Sequence, residues 1–546
     1  MCKCNSSVRP SGPSSARLTA PSPIRPFAHS SNRPFAHSII RSFDYSIILP
    51  LSLSLALSLA GCSHLPSVGP DYAEPSFEVP AYLLPDAGQP STNLTATGEY
   101  AAADAKDDLR QIISKDSLSQ WWKRFGDPVL ESLVEGGVSN NVGFLMAQKR
   151  LEAANWQLLG SYAAFLPKFT GVGAWTRSWY NPHTRSNANG KNGYHYNVGN
   201  LALDGQWEID IFGGSRRATE AALAQAEAAG WTVADAWVSL TTQIGTQYVN
   251  LRTTQERIEV ARTNLVLQSE TYEILKSRLD SGIGDELAVN QCASVVEQTR
   301  ARLPQLLAEE ERLKNALAIL AGEMPGALGD VLKPLDARRD WLLQPQKVAE
   351  LKLDMMRGRP DVKAAERGLA AATAAIGVAK AQWFPRLYVN GAVGLEAKNS
   401  LNLFSRESFF ATLGPSVSWP IFQGGAIYAN VKATEAKMHE AALAYEQALQ
   451  NAYGQVRDAY AAYTQEYRRN QSLKGAVKAA TDAVTISQDL YKNGLKDFNN
   501  VLDAQRSRLQ LEEEFVLSRG QITLDLISLY KSLGGGLAAT ELDGLR

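Results

Sequence analysis

Leu201-Ala-Leu-Asp-Gly-Gln-Trp-Glu-Ile-Asp-Ile-Phe-Gly-Gly214 changes its period in mid-course. Its odd positions are Leu201, Leu203, Gly205, Trp207, Ile209 and Ile211, while Asp204, Gln206, Glu208 and Asp210 occupy the even ones. Side chains alternate across a strand, so this stretch reads as a strand with one apolar and one polar face. After the glycine pair the pattern changes to Ala, Gln, Glu, Lys, Leu and Arg with apolar residues at helical spacing, continuing to about Leu279. No proline interrupts the chain between Pro182 and Pro304. At 1.5 Å per residue such a helix is roughly 100 Å long, several times a globular diameter. Its Ala-rich apolar face suits helices packed side by side.

The same sentence is written twice. Residues 409–421 alternate likewise (Phe409, Ala411, Leu413, Val417 and Trp419 against Ser408, Thr412, Ser416 and Ser418), and Ile421-Phe-Gln-Gly-Gly425 opens a second proline-free stretch. Gly282-Ile-Gly-Asp-Glu-Leu-Ala-Val289 recurs as Gly494-Leu-Lys-Asp-Phe-Asn-Asn-Val501, and Leu320-Ala-Gly322 as Leu533-Gly-Gly535. Phe165-Leu-Pro167 and Phe384-Pro385 each precede a further Gly- and aromatic-rich stretch, 168–179 and 386–396. Each half therefore reads helix, strand pair, very long helix, turn, second long helix. Asp127-Pro128 caps and opens a helix to about Phe165; Arg359-Pro360-Asp361 opens another to about Phe384. The expected organisation is a leader 1–61, an N-terminal segment 62–126, and a first repeat 127–322 with strand pair 168–211. A connecting segment 323–358, a second repeat 359–536 with strand pair 386–421, and a tail 537–546 complete it.

Alternation alone also describes a soluble sandwich. Strand count separates the readings, because four strands cannot close a barrel and an open sheet leaves exposed edges. The 546 residues carry 55 Lys+Arg and 56 Asp+Glu, a balance that argues against nucleic acid as partner. No apolar run reaches the ~20 residues of a spanning helix. Residues 47–60 form a shorter apolar stretch followed by Leu59-Ala60-Gly61-Cys62, the lipobox pattern. A thiol after small residues can take a diacylglycerol thioether, so Cys62 is the expected lipidation site, and Ser63 after it implies export to the outer membrane. The first 40 or so residues, with Pro26-Phe-Ala-His-Ser30 repeated as Pro34-Phe-Ala-His-Ser38, are read as leader without a folded role.

With these features in hand, the chain resembles the outer-membrane factor family of TolC-type exit ducts, in particular the OprM- and NodT-like lipoprotein branch serving RND efflux pumps. Val68-Gly-Pro-Asp-Tyr72, Trp121-Trp122 with Phe125-Gly-Asp127-Pro128, Arg359-Pro-Asp-Val362 with Ala365-Glu366, Val501-Leu-Asp-Ala-Gln-Arg506 and Leu529-Tyr-Lys-Ser-Leu-Gly-Gly-Gly536 carry the resemblance. It implies an α+β membrane protein in which a homotrimer forms a 12-stranded β-barrel continuous with a long periplasmic α-barrel. It places Asp204, Glu208 and Asp210 on the lumenal face. It implies a periplasmic adaptor and an RND inner-membrane pump as partners, outer-membrane lipid around the barrel, and a contribution to antibiotic resistance. Matched motif to motif, it puts the gate at Tyr491, Asp503 and Arg506, with Tyr491 screening an Asp503–Arg506 link. In the first repeat Gln291 stands where Asp503 stands in the second, leaving Asp285 and Glu286 as other sources of tip charge.

No GxSxG, P-loop, HExxH or CxxC pattern occurs, the six histidines have no ligand spacing, and Cys292 sits in a helical stretch as a packing residue. No catalytic residue, metal or cofactor is expected. Two classes remain open: a passive trimeric conduit, for efflux or, as second choice, type I secretion, and a lipid-anchored envelope tether without a pore.

Overall fold

A computed structural model describes residues 67–75, 120–180, 194–334, 356–398 and 402–535. Cys62, the leader and the tail lie outside them. Among the described residues, seven α-helices and four strands follow in the order α1 (Pro128–Asn140), α2 (Val142–Tyr162), β1 (Lys168–Tyr180), β2 (Tyr194–Ile209), α3 (Gly214–Asp280) and α4 (Glu286–Leu320). After the connecting region come α5 (Pro360–Ala381), β3 (Arg386–Ala397), β4 (Phe409–Ser418), α6 (Ala426–Lys492) and α7 (Phe498–Ser532). The duplication is strict in the hairpins. Gly214 to Ala426, Asp280 to Lys492, Glu286 to Phe498 and Leu320 to Ser532 are each 212 residues apart, and each hairpin pairs a 67-residue helix with a 35-residue one. Both long helices start after a glycine in the left-handed region, Gly213 at φ 81° and Gly425 at φ 87°. A side chain there would be strained, which is why the strand-to-helix turn carries glycine in both copies.

The helix expected from Asp127 to Phe165 is two helices. Asn141 is extended, accepts from the Phe144 N–H (3.0 Å) as the cap of α2, and donates to the Leu320 carbonyl at the end of α4 (3.1 Å). One side chain thus stops one helix, starts the next and ties both to the first hairpin. Asp127 caps α1 through the Val129 N–H (3.0 Å) and also accepts from the buried Tyr248 hydroxyl. Tyr248 in turn accepts from Arg252 (2.8 Å), whose other nitrogen reaches the Lys333 carbonyl (2.7 Å). Trp121 and Trp122 are buried in the main core with Leu130, Ile244, Leu251, Leu317 and Tyr530. The Trp-Trp and Asp-Pro motifs are therefore clasps of the central core.

The strands form one antiparallel sheet in the order β1-β2-β3-β4. The pairing of β2 with β3, from Ile209 opposite Leu387 to Gly199 opposite Ala397, joins the two repeats. In register, Thr170, Asp204, Ala392 and Thr412 line one row, and Lys168, Gln206, Asn390 and Gly414 the adjacent row on the same face. Gln206 donates to Asn390 (3.1 Å) and Asn390 to Ser416 (2.6 Å), a polar ladder across three strands. The opposite face presents Phe169, Leu201, Leu203, Val393, Leu413 and Val417, all exposed. Trp207 and Trp419 donate to the carbonyls of Phe165 and Trp383, each at 3.0 Å, so one indole per repeat ties strand to preceding helix end. Asp204 and Glu208 lie on the polar face as the alternation requires. Asp210 does not: it lies past the end of β2 and accepts from the Arg216 N–H (2.9 Å), fixing the first turn of α3. A free N–H at a helix start attracts a nearby carboxylate more strongly than strand parity directs it.

Candidate functional site at the hairpin tips

Both hairpins turn at a glycine, Gly282 at φ 75° and Gly494 at φ 71°. Below the turns, Leu275 of α3, Ala288, Val289, Cys292 and Val295 of α4, and Phe498, Val501 and Leu502 of α7 bury one another. The two hairpins of a single chain are thus sewn together at the tip by apolar contact. Cys292 belongs to this cluster; burial pushes its thiol up to about 11, so it packs and does not react.

On α7, Val501, Leu502 and Gln505 face the cluster and Asp503 and Arg506 face away. Their side chains are 77% and 49% exposed, and Arg506 Nη1 lies 3.8 Å from Asp503 Oδ1. One helical turn apart, they form an exposed pair free to meet groups on another surface. Within the single chain Tyr491 is engaged with other residues. It packs edge-on against Phe498 (centroids 5.4 Å apart) and lies under the Arg278 guanidinium, 5.3 Å from its ring centre. The apolar neighbourhood of Phe498 draws the ring inward. Asp285 accepts from the Leu287 N–H (3.0 Å) and so caps α4, which gives it a structural task; Glu286 is exposed in the first turn.

Arg278 was not legible from sequence. A basic residue in the last turn of a helix reads as a partner for the helix dipole, and nothing local points to Tyr491 in the other repeat. The sequence presents Arg359 as a helix start and as part of a family motif, and neither reading points to its contacts. Its guanidinium grips Asp361 with two nitrogens (2.9 and 2.6 Å), Gln455 (2.8 Å) and the Ser532 carbonyl at the end of α7 (2.8 Å).

The Val68-Gly-Pro-Asp-Tyr72 segment, which begins six residues beyond Cys62, is a strap lying over α3 and α5. Val68 N–H donates to the Phe212 carbonyl (3.1 Å), buried Arg217 reaches the Val68 carbonyl (3.3 Å) and Asp71 (2.5 Å), and the Tyr72 hydroxyl donates to Glu366 (3.2 Å). Burial would raise the Glu366 carboxyl, but hydrogen bonds and charge from Lys363 and Arg367 outweigh it and hold it below the usual carboxylate range. Among the described residues no cluster of His, Cys, Asp and Glu is placed to hold a metal ion, and no helix is long and apolar enough to cross a membrane.

An amphipathic sheet carried on two helical hairpins, the longer helix of each about 100 Å long, is the build of an outer-membrane channel subunit. The profile described as "Outer membrane efflux protein" matches residues 135–323 and 335–535, and the chain belongs to that family. It is 30% identical over 460 residues to nodulation protein T of Rhizobium leguminosarum bv. trifolii, covering 83% of this chain and 90% of that one. It is 29% identical over 485 residues to outer membrane protein OprJ of Pseudomonas aeruginosa, covering 88% and 94%. The solved outer-membrane channel OprN superposes with TM-score 0.74 at 30% identity, over 86% of this chain and 99% of that chain. The protein is accordingly an outer-membrane efflux component, and it acts as an exit duct.

Proposed function

We propose that three copies of this chain join through the free edges of β1 and β4 into a 12-stranded barrel, which their helices continue as a tube through the periplasm. The protein then serves as the passive outer-membrane duct of a tripartite efflux system, receiving drugs or other small molecules from an RND pump and its periplasmic adaptor. One observation supports this above the rest: a four-stranded sheet with an apolar face and two unpaired edges, rooted directly in the long helices. Such edges invite pairing, and a barrel removes them. Lipid outside and water inside then suit the two faces. Cys62 carries the lipid that holds the chain at the membrane, with the strap leading from it into the fold. Tyr491, Asp503 and Arg506 form the gate, the last two near the threefold axis. The duct performs no turnover chemistry and needs no cofactor; the pump selects the cargo.

Native mass spectrometry and planar-bilayer recording of the detergent-extracted protein test this reading. The expected result is a trimer giving discrete channels once the tip is relaxed. A stable monomer that never conducts would replace the duct with a tether.

A further inference from the structure

To the apolar face of the sheet, β1 contributes Phe169, Gly171, Gly173, Trp175, Arg177 and Trp179 in register with that face of β2. Arg177 is the charged member of this column. Among the described residues its guanidinium meets no carboxylate. Asn197 stands directly opposite on β2 with an amide oxygen that has no donor, yet the two do not pair. The guanidinium lies instead over the Trp179 ring, 5.2 Å from its centre. Trp175 closes over Gly199 across the strand pair, where a Cβ would fall 2.7 Å from two of its ring atoms. Both indoles are exposed. Below them Gly171 and Gly173 leave a shallow track beside their register partners Leu203 and Leu201, and a Cβ on Gly171 would meet nothing within 4 Å.

Height decides what faces Arg177. β1 leaves the helices at Lys168, and Arg177 stands near its far end, roughly 27 Å along the strand from Phe169. With the usual strand tilt that is about 20 Å of an apolar band about 25 Å tall, which places Arg177 beside the headgroups of the outer leaflet. A cation on a lipid-facing surface is costly unless its long side chain reaches that level and meets an anion there. We propose that this column is a lipid site: Arg177 takes a phosphate of an outer-leaflet glycolipid, Trp175 and Trp179 flank the sugar that carries it, and an acyl chain lies along Gly173 and Gly171. The guanidinium offers a fork of N–H donors that fits a phosphate. Two indole faces suit the C–H face of a sugar ring, and a headgroup such as phosphatidylglycerol has no ring to place between them. The proposal rests on the sheet being one third of a membrane barrel, and each protomer would then carry one such site.

Native mass spectrometry of the full-length protein, purified in detergent and stripped of lipid, tests it with bisphosphorylated lipid A as the probe. The wild-type trimer should take up one lipid A per protomer. Arg177→Gln should weaken that binding about tenfold, the scale of one charge-assisted hydrogen bond, and Trp179→Leu should weaken it as well. Lys168→Gln, which removes a charge from the polar face of the same strand, should bind as wild type does. Phosphatidylglycerol should compete about tenfold more weakly than lipid A, again the scale of one lost contact. Where a variant assembles poorly, lipid A stripped of its phosphates reads the same contact on the wild-type trimer and should bind as weakly as Arg177→Gln binds the intact lipid. A wild-type trimer that binds lipid A no better than phosphatidylglycerol, or that keeps its affinity when Arg177 or the phosphates are removed, overturns the site and leaves the duct standing. If the wild type forms no trimer at all, the duct reading itself has failed.

Discussion

Arg359 shows how a single side chain can close the second repeat. Its guanidinium satisfies acceptors on three elements: Asp361 at the head of α5, Gln455 in α6 and the last-turn carbonyl of Ser532 in α7. A lysine offers one compact charge and cannot form the two-pronged bond to Asp361. Arg359→Lys should therefore lower stability by about 3 kcal/mol, the scale for breaking a buried hydrogen-bonded pair, read as a lower thermal midpoint with the trimer still formed. Glu366 gives a pH signature. Its folded carboxyl titrates below the ordinary glutamate value of 4.5. It thus contributes stability above pH 4.5 that is lost as pH falls through its depressed folded value. Glu366→Gln should flatten that acid limb of a melting-temperature profile and be the less stable of the two proteins at neutral pH; an unchanged acid limb would show that another group controls it.

The helices were legible because their signal is local and long. An uninterrupted run of helix formers after Gly213-Gly214 needs no tertiary information, and repetition 212 residues later fixes its ends. Strand faces were legible for the same reason, except at Asp210, where a helix start competes for the carboxylate. Contacts between elements were not. The β2–β3 register, the Asn141 break and the Arg278–Tyr491 contact each depend on residues far apart in the chain. The strap is the clearest case: its sequence looked like a family signature, and its purpose appears only against α3 and α5. A Cβ on Gly377 would come within 2.7 Å of the Val68 carbonyl and 2.6 Å of Arg217 Cγ, so backbone and a buried guanidinium would both have to move. Gly377→Ala should cost about 1–3 kcal/mol and expose the Val68 amide to hydrogen exchange. Gly368→Ala on the same helix meets nothing within 4 Å and should be neutral or slightly stabilising. Equal protection at Val68 in both variants would mean that the strap does not depend on this cradle.

Assembly changes what the tip charges are worth. Within one chain Asp503 and Arg506 are an exposed i,i+3 pair at 3.8 Å, an arrangement worth ~0–1 kcal/mol at most. Their loss should not unfold a chain whose core lies elsewhere, around Trp121, Tyr248 and Tyr530. Three copies around an axis are a different electrostatic object. In the proposed trimer three Asp503 carboxylates would face one another, and like charges so placed are tolerated only with counter-charges close by. Arg506 can supply them by turning from its own Asp503 to a neighbouring chain's carboxylate, a bidentate bond stronger than the 3.8 Å contact it has alone. Asp503→Ala with Arg506→Ala should therefore raise single-channel conductance and sensitise cells to large antibiotics, with the trimer and its melting temperature retained. Asp285 provides the control at the same height of the molecule. Its carboxylate caps α4, so Asp285→Ala should cost about 1 kcal/mol in stability with conductance unchanged. If Asp285→Ala opens the duct and the double variant does not, the controlling charge belongs to the first hairpin, and the exposed pair on α7 is only a solvated helix face.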